Sequence, residues 1–386
     1  MAYYEVKEHA GRAQQVQKIL QAKGLDFALI YYDEFNLGNG WYLTGWCPQF
    51  ESGTVLVPAK GEPMILGGPE SEPFAKQDCA IKETRNLPVF MVPDEEYPNA
   101  TIITFKELFA ELSETGIKKV GIVGADQMPL AVYNGIIAEF QGVEFVDITE
   151  DFLKLRYVKS DWEREQMRVA FEMADKGYLA MAEMVKPGNY EYQVAAAGEA
   201  VARMMGSNGF AYKTIVGSGA RSNAVVPTAM DKVMEAGELV MLGMAPRYKG
   251  YSGVFGHTLP VSGEYTPEQA ECMKHMKEAM LLTREMLVPG KCGMEIHEPA
   301  RKYFEKHDLL KYLVCPFAHT IGIMEAEAPF FGPNSKDIIV PGMTICVDVS
   351  IFGHPVCNGI RIETSYEITE NGPKAFSPMM EKVLLG

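Results

Sequence analysis

A pattern that occurs twice in the second half of the chain restricts the fold more than any other feature. Residues 184–188 (Met-Val-Lys-Pro-Gly) recur as residues 286–290 (Met-Leu-Val-Pro-Gly), and each segment ends a predicted long helix and precedes a second one. Residues 237–243 likewise match residues 342–348, and each predicts a strand, a turn and another strand. Two related helix–helix–strand–strand halves are therefore predicted. Their strands would share one curved sheet, with the helices outside and a concave face left for a ligand.

The first part of the chain has a different pattern. Unbroken apolar runs of the kind found in a sheet covered on both faces occur at 26–32, 54–57, 64–66 and 119–123, with a helical pattern at 105–112. An α/β domain with a mixed sheet is predicted here. Because 386 residues exceed one ordinary core, we expect two domains, an α/β domain over 1–157 and an α+β domain over 158–386.

Composition excludes several classes of partner. A hydrophobic content of 47% with 23% charged residues is typical of a soluble globular protein, and a net charge of -15 without a Lys/Arg cluster argues against nucleic acid. The seven cysteines are odd in number, dispersed and without a Cys-x-x-Cys pair, as expected for reduced thiols. The N-terminus lacks the basic region and the apolar region of a signal peptide, and no apolar run reaches about 18 residues, the length of a membrane-spanning helix. A cytoplasmic protein without a membrane partner is predicted.

One stretch could carry chemistry. His319 is followed by Gly322 and by two acids, Glu325 and Glu327, in an otherwise apolar neighbourhood. Imidazole titrates near neutrality and a neighbouring carboxylate fixes its tautomer, so a metal ligand or an acid/base residue is one interpretation. A core histidine bonded to a backbone carbonyl is the other. The stretch alone leaves both open.

The motifs of the whole chain, taken together, are more specific than any single one. They are Arg156-Tyr-Val-Lys-Ser160, Gly250-Tyr251, His319-x-x-Gly322, Glu327-x-Pro329, Pro341-Gly-Met343 and Gly359-Ile-Arg-Ile-Glu363. Because it carries these motifs, the chain resembles the pita-bread superfamily of creatinase, Xaa-Pro aminopeptidase, prolidase and methionine aminopeptidase. Tyr42-Leu-Thr-Gly45 is similar to the creatinase and prolidase branch. The resemblance implies an N-terminal creatinase/prolidase-like domain followed by a pita-bread catalytic domain with a curved antiparallel sheet.

The resemblance also implies a degenerate metal site. Peptidases of the superfamily hold two divalent metals with two aspartates, one histidine and two glutamates. The corresponding positions in this chain are Gly243, Val254, His319, Asp348 and Glu363. Without the two aspartates, one metal site would be empty. We expect no cofactor, and the alternative is one Zn, Mn or Fe ion held by the remaining histidine and the two remaining acids.

The function that the resemblance implies is a creatinase-like, metal-independent hydrolase of a C–N bond in a small polar substrate, with a cationic substrate as a candidate. The alternatives are a mononuclear metal-dependent hydrolase or lyase related to Xaa-Pro peptidases, and a ligand-binding homologue without activity. A homodimer is expected, because members of this branch commonly form one. The sequence names neither the substrate nor the partner residues that enter the site.

Nine residues are the expected functional ones. The predicted catalytic residues are His319, Glu363, Asp348, Glu327 and His257, the last of which would supply a base. The predicted substrate contacts are Arg361, Tyr251 and two residues of an aromatic loop, Trp46 and Phe50. Glu325 is expected to point away from the site.

Overall fold

A computed structural model of the chain describes residues 3–112, 116–140 and 142–386. These residues fall into two compact units, with the division between Arg156 and Tyr157. In the described residues, no helix is both long and apolar enough to cross a bilayer.

The first unit is an α/β domain. Its helices are α1 Val6–Lys23, α2 Gly38–Thr44, α3 Glu72–Asp78, α4 Phe105–Leu112, α5 Leu130–Glu139 and α6 Thr149–Lys154, with a 3₁₀ turn at Pro88–Phe90. Its strands are β1 Phe27–Tyr32, β2 Gly53–Pro58, β3 Met64–Gly67, β4 Thr84–Asn86, β5 Lys119–Val123 and β6 Glu144–Asp147. They form one sheet in the order β4-β3-β2-β1-β5-β6, in which β1 is antiparallel to β2 and parallel to β5. The predicted mixed sheet is confirmed.

The aromatic loop is a loop only in part. Residues 38–44 form the short helix α2, which is buried along its whole length and ends at Gly45 with φ 64°. The Gly45 N–H donates to the carbonyl of Trp41, so the turn closes at a position where a left-handed backbone favours glycine. The sequence predicts the aromatic loop over residues 41–51, and this prediction is wrong for its first residues, which are helical.

The second unit contains the repeated halves. Its helices are α7 Asp161–Glu183, α8 Glu191–Met204, α9 Pro267–Glu285, α10 Gly293–Lys306 and α11 Pro378–Leu385, with 3₁₀ turns at Gly219–Asn223 and Leu310–Tyr312. Its strands are β7 Gly209–Phe210, β8 Ile215–Ser218, β9 Leu239–Met244, β10 Pro246–Tyr248, β11 Tyr251–Ser252, β12 Phe255–Pro260, β13 Ala318–Thr320, β14 Thr344–His354, β15 Asn358–Thr369 and β16 Gly372–Ala375. The main sheet runs β13-β14-β15-β12-β9-β8, all antiparallel, with β16 beside β15.

Backbone angles support the internal repeat. Gly188 and Gly290, which end the two Pro-Gly segments, both have φ 92°. Gly237 and Gly342, which precede the two matched strands, both have φ 87°. Left-handed backbone of this kind is readily available only to glycine, so the repeat preserves the turns as well as the strands. In each half, a long helix packs on the next one, α7 on α8 and α9 on α10.

The core of the second unit lies between these helices and one face of the main sheet. Along β14, Val347 and Val349 belong to this core, whereas Asp348 between them points to the other face. Along β15, Ile360 and Ile362 belong to the core in the same way. The polar side chains of both strands therefore share the face that the helices leave uncovered. The fold class predicted from the sequence is confirmed.

Candidate metal centre and substrate cavity

A row of register partners crosses the uncovered face of the main sheet. It runs through Asp348, Glu363, Gly256, Gly243 and Ile215, on five neighbouring strands. Two carboxylates therefore stand at one end of the row, and two glycines without side chains follow them.

A cavity of about 210 Å³ lies over this row. Its charged lining residues are His319, Glu325, Asp348, Arg361 and Glu363. The rest of its wall is mostly apolar and includes Tyr212, Ile215, Val225, Val226, Cys315 and Phe330. Such a mixture, an apolar wall with a few converging polar groups, is typical of a small-molecule site.

Four side chains bring metal-ligating atoms together inside the cavity region. The ligand atoms of His319, Glu325, Cys346 and Glu363 all lie within 4.8 Å of one another. His319 faces Cys346 across the β13–β14 ladder, and the Cys346 thiol donates to Oε1 of Glu363 at 3.2 Å. Glu325 comes from the loop after β13 and places Oε1 3.5 Å from Nε2 of His319.

The His319 ring is held in the orientation that a metal ligand needs. Its Nδ1 lies 3.0 Å from the carbonyl oxygen of Thr320, so Nδ1 carries the hydrogen and donates it to the backbone. In the neutral ring Nε2 then keeps its lone pair, and Nε2 is the nitrogen that faces Glu325. A backbone carbonyl that fixes the tautomer in this way is common behind metal-bound histidines.

The acids of this group are strongly perturbed. Burial raises the pKa of Glu325 to about 7, and the charge of Asp348 adds to the rise. Burial, with Asp348 and Glu325 beside it, also raises the pKa of Glu363 well above its usual range. Burial raises the pKa of the Cys346 thiol in the same way. A divalent cation among these groups would favour their ionised forms.

The chemistry of the donors fits one ion but not two. One imidazole nitrogen and two carboxylates, with a thiol beside them, suit Zn²⁺ or another first-row transition metal better than Mg²⁺ or Ca²⁺. Beyond the two carboxylates, Gly243 on the row and Val254, just before β12, have no ligating side-chain atom. The Arg361 side chain lies over Gly256 in the middle of the row, with Cδ 2.7 Å from where a Cβ of Gly256 would stand. A second cation therefore does not fit.

Asp348 does not join the ligand group. Its Oδ1 accepts a hydrogen bond from Nε of Arg361 at 3.2 Å, and both side chains are buried. The ligand set suggested by the sequence, His319 with Asp348 and Glu363, therefore differs from the compact group in the structure, which contains Glu325 and Cys346 and lacks Asp348. Glu325, which was expected to point away, lies in the group, whereas Asp348 balances the arginine.

His257 lies on the opposite face of the sheet. Its register partners, Leu242 and Ile362, belong to the core under the helices, and its Nδ1 is 2.9 Å from the hydroxyl of Tyr178 on α7. Burial, with the charge of Lys277, lowers the pKa of His257 to about 4. The structure therefore does not bring this ring to the cavity for the predicted role of base.

Two further predicted residues support the surroundings of the cavity without lining it. Glu327 forms a buried ion pair with Lys159, 2.8 Å between Oε1 and Nζ. Tyr251 donates to Oε1 of Glu163 at 2.8 Å, at the start of α7. Both contacts lie inside the second unit and brace the segments that lead to the site.

Trp46 and Phe50 belong to the first unit. Trp46 packs edge-on against Tyr32, with ring centroids 6.4 Å apart. Phe50 is 85% exposed and has φ 63°. Their predicted contact with a substrate stays a prediction.

Sequence reasoning missed Glu325 as a site residue, and it also missed Cys346 and Tyr212. Cys346 could have been found, because it lies two residues before Asp348 on one strand and so shares its face. Glu325 and Tyr212 lie outside the regular strands, so periodicity carries no signal for them.

A second group of ligating atoms lies outside the cavity. Cys272 on α9 and His354 and Cys357 near the β14–β15 turn also place their ligand atoms within 4.8 Å of one another. Any measurement of bound metal has to separate the two groups.

Comparison with known proteins identifies the family. The family model described as Metallopeptidase family M24 matches residues 165–370, more than half of the chain, and the Creatinase/Prolidase N-terminal domain matches residues 12–158. A Xaa-Pro dipeptidase of Pyrococcus horikoshii is 29% identical over 338 residues, which cover 87% of this chain and 89% of that protein. An uncharacterised peptidase of Bacillus subtilis is 29% identical over 270 residues, 70% of this chain and 76% of the relative.

Solved structures share the fold. The X-Pro aminopeptidase of Thermotoga maritima superposes with a TM-score of 0.83 at 21% identity and covers 95% of this chain and 97% of its own. The prolidase of Pyrococcus horikoshii gives a TM-score of 0.81 at 23% identity, with 95% and 97% covered.

These findings correct one expectation and confirm another. The expectation of no cofactor was wrong, because the matched family is one of metallopeptidases and the structure gathers a metal-ligating group in the cavity. The expected class, a hydrolase acting on C–N bonds, is confirmed by the family and its peptidase relatives. The pita-bread resemblance drawn from the motifs is also confirmed, and the chain belongs to metallopeptidase family M24.

Proposed function

We propose that this chain is a hydrolase that cleaves a C–N bond in a small substrate with the help of a single metal ion. The observation that carries the proposal is the compact group of His319, Glu325, Cys346 and Glu363, of which the histidine and the two glutamates line the cavity. Relatives described as Xaa-Pro dipeptidases support the reaction type.

Three side chains would hold the ion. His319 would offer Nε2, and Glu325 and Glu363 would offer carboxylate oxygens, a set of three protein ligands as in catalytic zinc sites. Cys346 orients Glu363 through its thiol hydrogen bond. The chemistry that such an ion would supply is Lewis acidity and activation of a water as the nucleophile.

The rest of the cavity would select and orient the substrate. The apolar wall of Val225, Val226 and Phe330, whose side chains are exposed, fits a small apolar substituent. A cationic substrate is not favoured. Asp348 is already paired with Arg361, and the other two carboxylates would hold the ion.

Metal analysis of protein purified without chelator tests the centre. We expect about one equivalent of a transition metal per chain attributable to this site, and its loss in His319→Ala and in Glu325→Gln. The control is a Cys272→Ser/Cys357→Ser variant, which removes the thiols of the second group and should keep this ion. Wild-type protein without metal above background, or His319→Ala with unchanged content in the control background, would contradict the proposal.

Turnover tests the reaction. Xaa-Pro dipeptides form the first substrate panel, and small N-alkyl amino acids and guanidino compounds form the second. Hydrolysis that is lost on chelation and restored by the ion is the expected result. An ion bound without turnover of either panel would favour the alternative of an inactive ligand-binding homologue.

We also propose a cytoplasmic homodimer. The branch that the motifs resemble supports the dimer, and seven free cysteines support a reducing compartment. Light scattering on the purified protein checks the mass, and a monomer at micromolar concentration would contradict the dimer.

A further inference from the structure

Two side chains in the cavity have hydrogen-bond donors that no acceptor in the described residues uses. Of the three nitrogens of the Arg361 guanidinium, only Nε makes a hydrogen bond within the described residues, to Asp348. The hydroxyl of Tyr212 is buried and has no hydrogen-bond partner among the described residues. Both side chains line the cavity. A buried donor without an acceptor is unfavourable, so the Tyr212 hydroxyl, with the free guanidinium nitrogens of Arg361 in the same cavity, points to an acceptor that arrives with a ligand.

The two glycines of the row place these donors side by side. Gly243 and Gly256 are register partners on β9 and β12. The Tyr212 hydroxyl lies 3.3 Å from where a Cβ of Gly243 would stand, and Cδ of Arg361 lies 2.7 Å from the corresponding point at Gly256. Because side chains of register partners stand about 5 Å apart, one anionic group could reach both donors.

We propose that Arg361 and Tyr212 form a subsite for an anionic oxygen of the substrate, over the two glycines of the row, where a second metal ion does not fit. The guanidinium supplies a fixed positive charge there, and the tyrosine supplies a neutral donor beside it. The subsite lies in the same cavity as the proposed metal centre, and the inference rests on the proposed function for that cavity being the substrate site.

Two sources of the anionic oxygen are compatible with this chemistry. A carboxylate of the bound substrate would be recognised in the ground state. The oxygen that becomes negative when a carbonyl is attacked would be stabilised in the transition state. Both use the same donors, and binding measurements combined with kinetics separate them.

Ligand binding tests the subsite first. The probes are N-acetylglycine, which carries a carboxylate, and N-acetylglycinamide, which carries a carboxamide in its place. Their dissociation constants are measured by calorimetry with and without added Zn²⁺. We expect wild-type protein to prefer the carboxylate and Tyr212→Phe to lose that preference by on the order of tenfold. Arg361→Lys keeps the positive charge but loses the paired N–H donors of the guanidinium, so this variant should lose part of the carboxylate preference.

A matched control removes a tyrosine hydroxyl on the other face of the sheet. Tyr178→Phe breaks the hydrogen bond to His257 and leaves the cavity unchanged, so its carboxylate preference should equal that of the wild type. Tyr212→Phe should also unfold at the wild-type midpoint, because the Tyr212 hydroxyl makes no hydrogen bond within residues 3–112, 116–140 and 142–386. A loss of preference with unchanged stability identifies a ligand contact.

Kinetics decide between the two sources once a substrate has been found. A rise in KM confined to carboxylate-bearing substrates would identify the carboxylate. A fall in kcat on substrates with and without a carboxylate would identify the developing oxyanion. The inference is overturned if Tyr212→Phe and Arg361→Lys keep the wild-type carboxylate preference and kcat. A carboxylate preference that persists in metal-free protein would support the subsite even if the metal centre failed its own test.

Discussion

At the scale of single residues, two glycines, Gly243 and Gly256, determine which side chains form the cavity floor. Gly256 lets the Arg361 side chain lie directly against the sheet, with Cδ at 2.7 Å from the position of an added Cβ. Gly243 leaves room for the Tyr212 hydroxyl in the same way. A carboxylate at either position would add a negative charge to the floor. With glycine at both positions, the nearby charge is that of Arg361.

Gly256→Ala is expected to destabilise the protein more than Gly243→Ala. The new methyl group of the first variant would overlap Arg361 and also Glu363, whose Cβ and Oε2 are both 2.8 Å away. Overpacking of this kind typically costs about 1–3 kcal/mol of unfolding free energy. At Gly243 the nearest atom, Cδ1 of Ile215, is 3.2 Å away and can yield. Urea unfolding of the two variants measures the difference, and an equal or larger loss at Gly243 would contradict it.

At the scale of elements, one buried carboxylate attaches a loop of the cavity wall to a helix. Glu191, the first residue of α8, is fully buried and accepts hydrogen bonds from the backbone and hydroxyl of Ser218, from Nε of Arg221 and from the backbone of Met230. The segment between these partners carries Val225 and Val226. The helix therefore positions part of the substrate wall.

Glu191→Gln is expected to loosen this segment. An amide at the same position turns two of the accepting sites into donors that face other donors, and a disrupted buried network of this kind costs about 2–4 kcal/mol. Hydrogen exchange and limited proteolysis over residues 219–230 measure the effect. Glu199→Gln on the same helix, where the carboxylate is only partly buried, is the control and should leave the segment unchanged. Equal protection in the two variants would contradict the role of Glu191.

The contact between α7 and the cap of α11 makes stability depend on pH. Asp175 accepts a hydrogen bond from the Ser377 hydroxyl at 2.6 Å, and Ser377 caps α11. Burial raises the pKa of Asp175 from 3.8 to about 6; Ser377 and Lys176 partly offset this rise, and Glu172 adds to it. The folded state therefore binds this proton more tightly than the unfolded state. The associated stability is present at acidic pH and is lost as the pH rises through about 6.

Asp175→Asn should therefore stabilise the protein more at pH 7.5 than at pH 4.5. The amide oxygen can still accept from Ser377, and no carboxylate has to ionise in a partly buried position. We expect a difference of about 1 kcal/mol between the two pH values, since solvent screens a carboxylate that is only partly buried. Thermal unfolding at both pH values measures it, and a stabilisation that does not grow with pH would contradict the assignment.

At the scale of the whole molecule, the proposed metal centre belongs to the second unit alone. All four candidate ligating residues follow Tyr157 in the chain. An ion that binds only the folded unit stabilises it by mass action, by about 2.7 kcal/mol at a hundred times the dissociation constant.

Added Zn²⁺ is therefore expected to raise the unfolding midpoint of the second unit. The measurement uses the Cys272→Ser/Cys357→Ser background, and hydrogen exchange should report new protection in residues after 157 but little before 156. His319→Ala in that background should show no such shift. A shift of the same size in His319→Ala would place the ion elsewhere.

Much of the fold and part of the site follow from local patterns in the sequence. The Pro-Gly segments predicted two related halves, and the matching φ angles of Gly188 and Gly290 show why the pattern recurs. Alternation along β14 and β15 places Asp348, Arg361 and Glu363 on one face, because successive side chains of a strand point to opposite sides. These properties depend on neighbours in the chain.

Which of these groups meet was decided only by tertiary structure. His257 and Gly256 are adjacent in sequence, yet the register of β12 turns the histidine toward α7 and leaves the cavity to its neighbour. Glu325 and Glu327 are two residues apart, yet the loop after β13 brings the first to His319 and the second to Lys159. Contacts of this kind depend on register and loop path. The sequence therefore determined the scaffold and the face of the site, and the tertiary structure determined its ligand group and its charge balance.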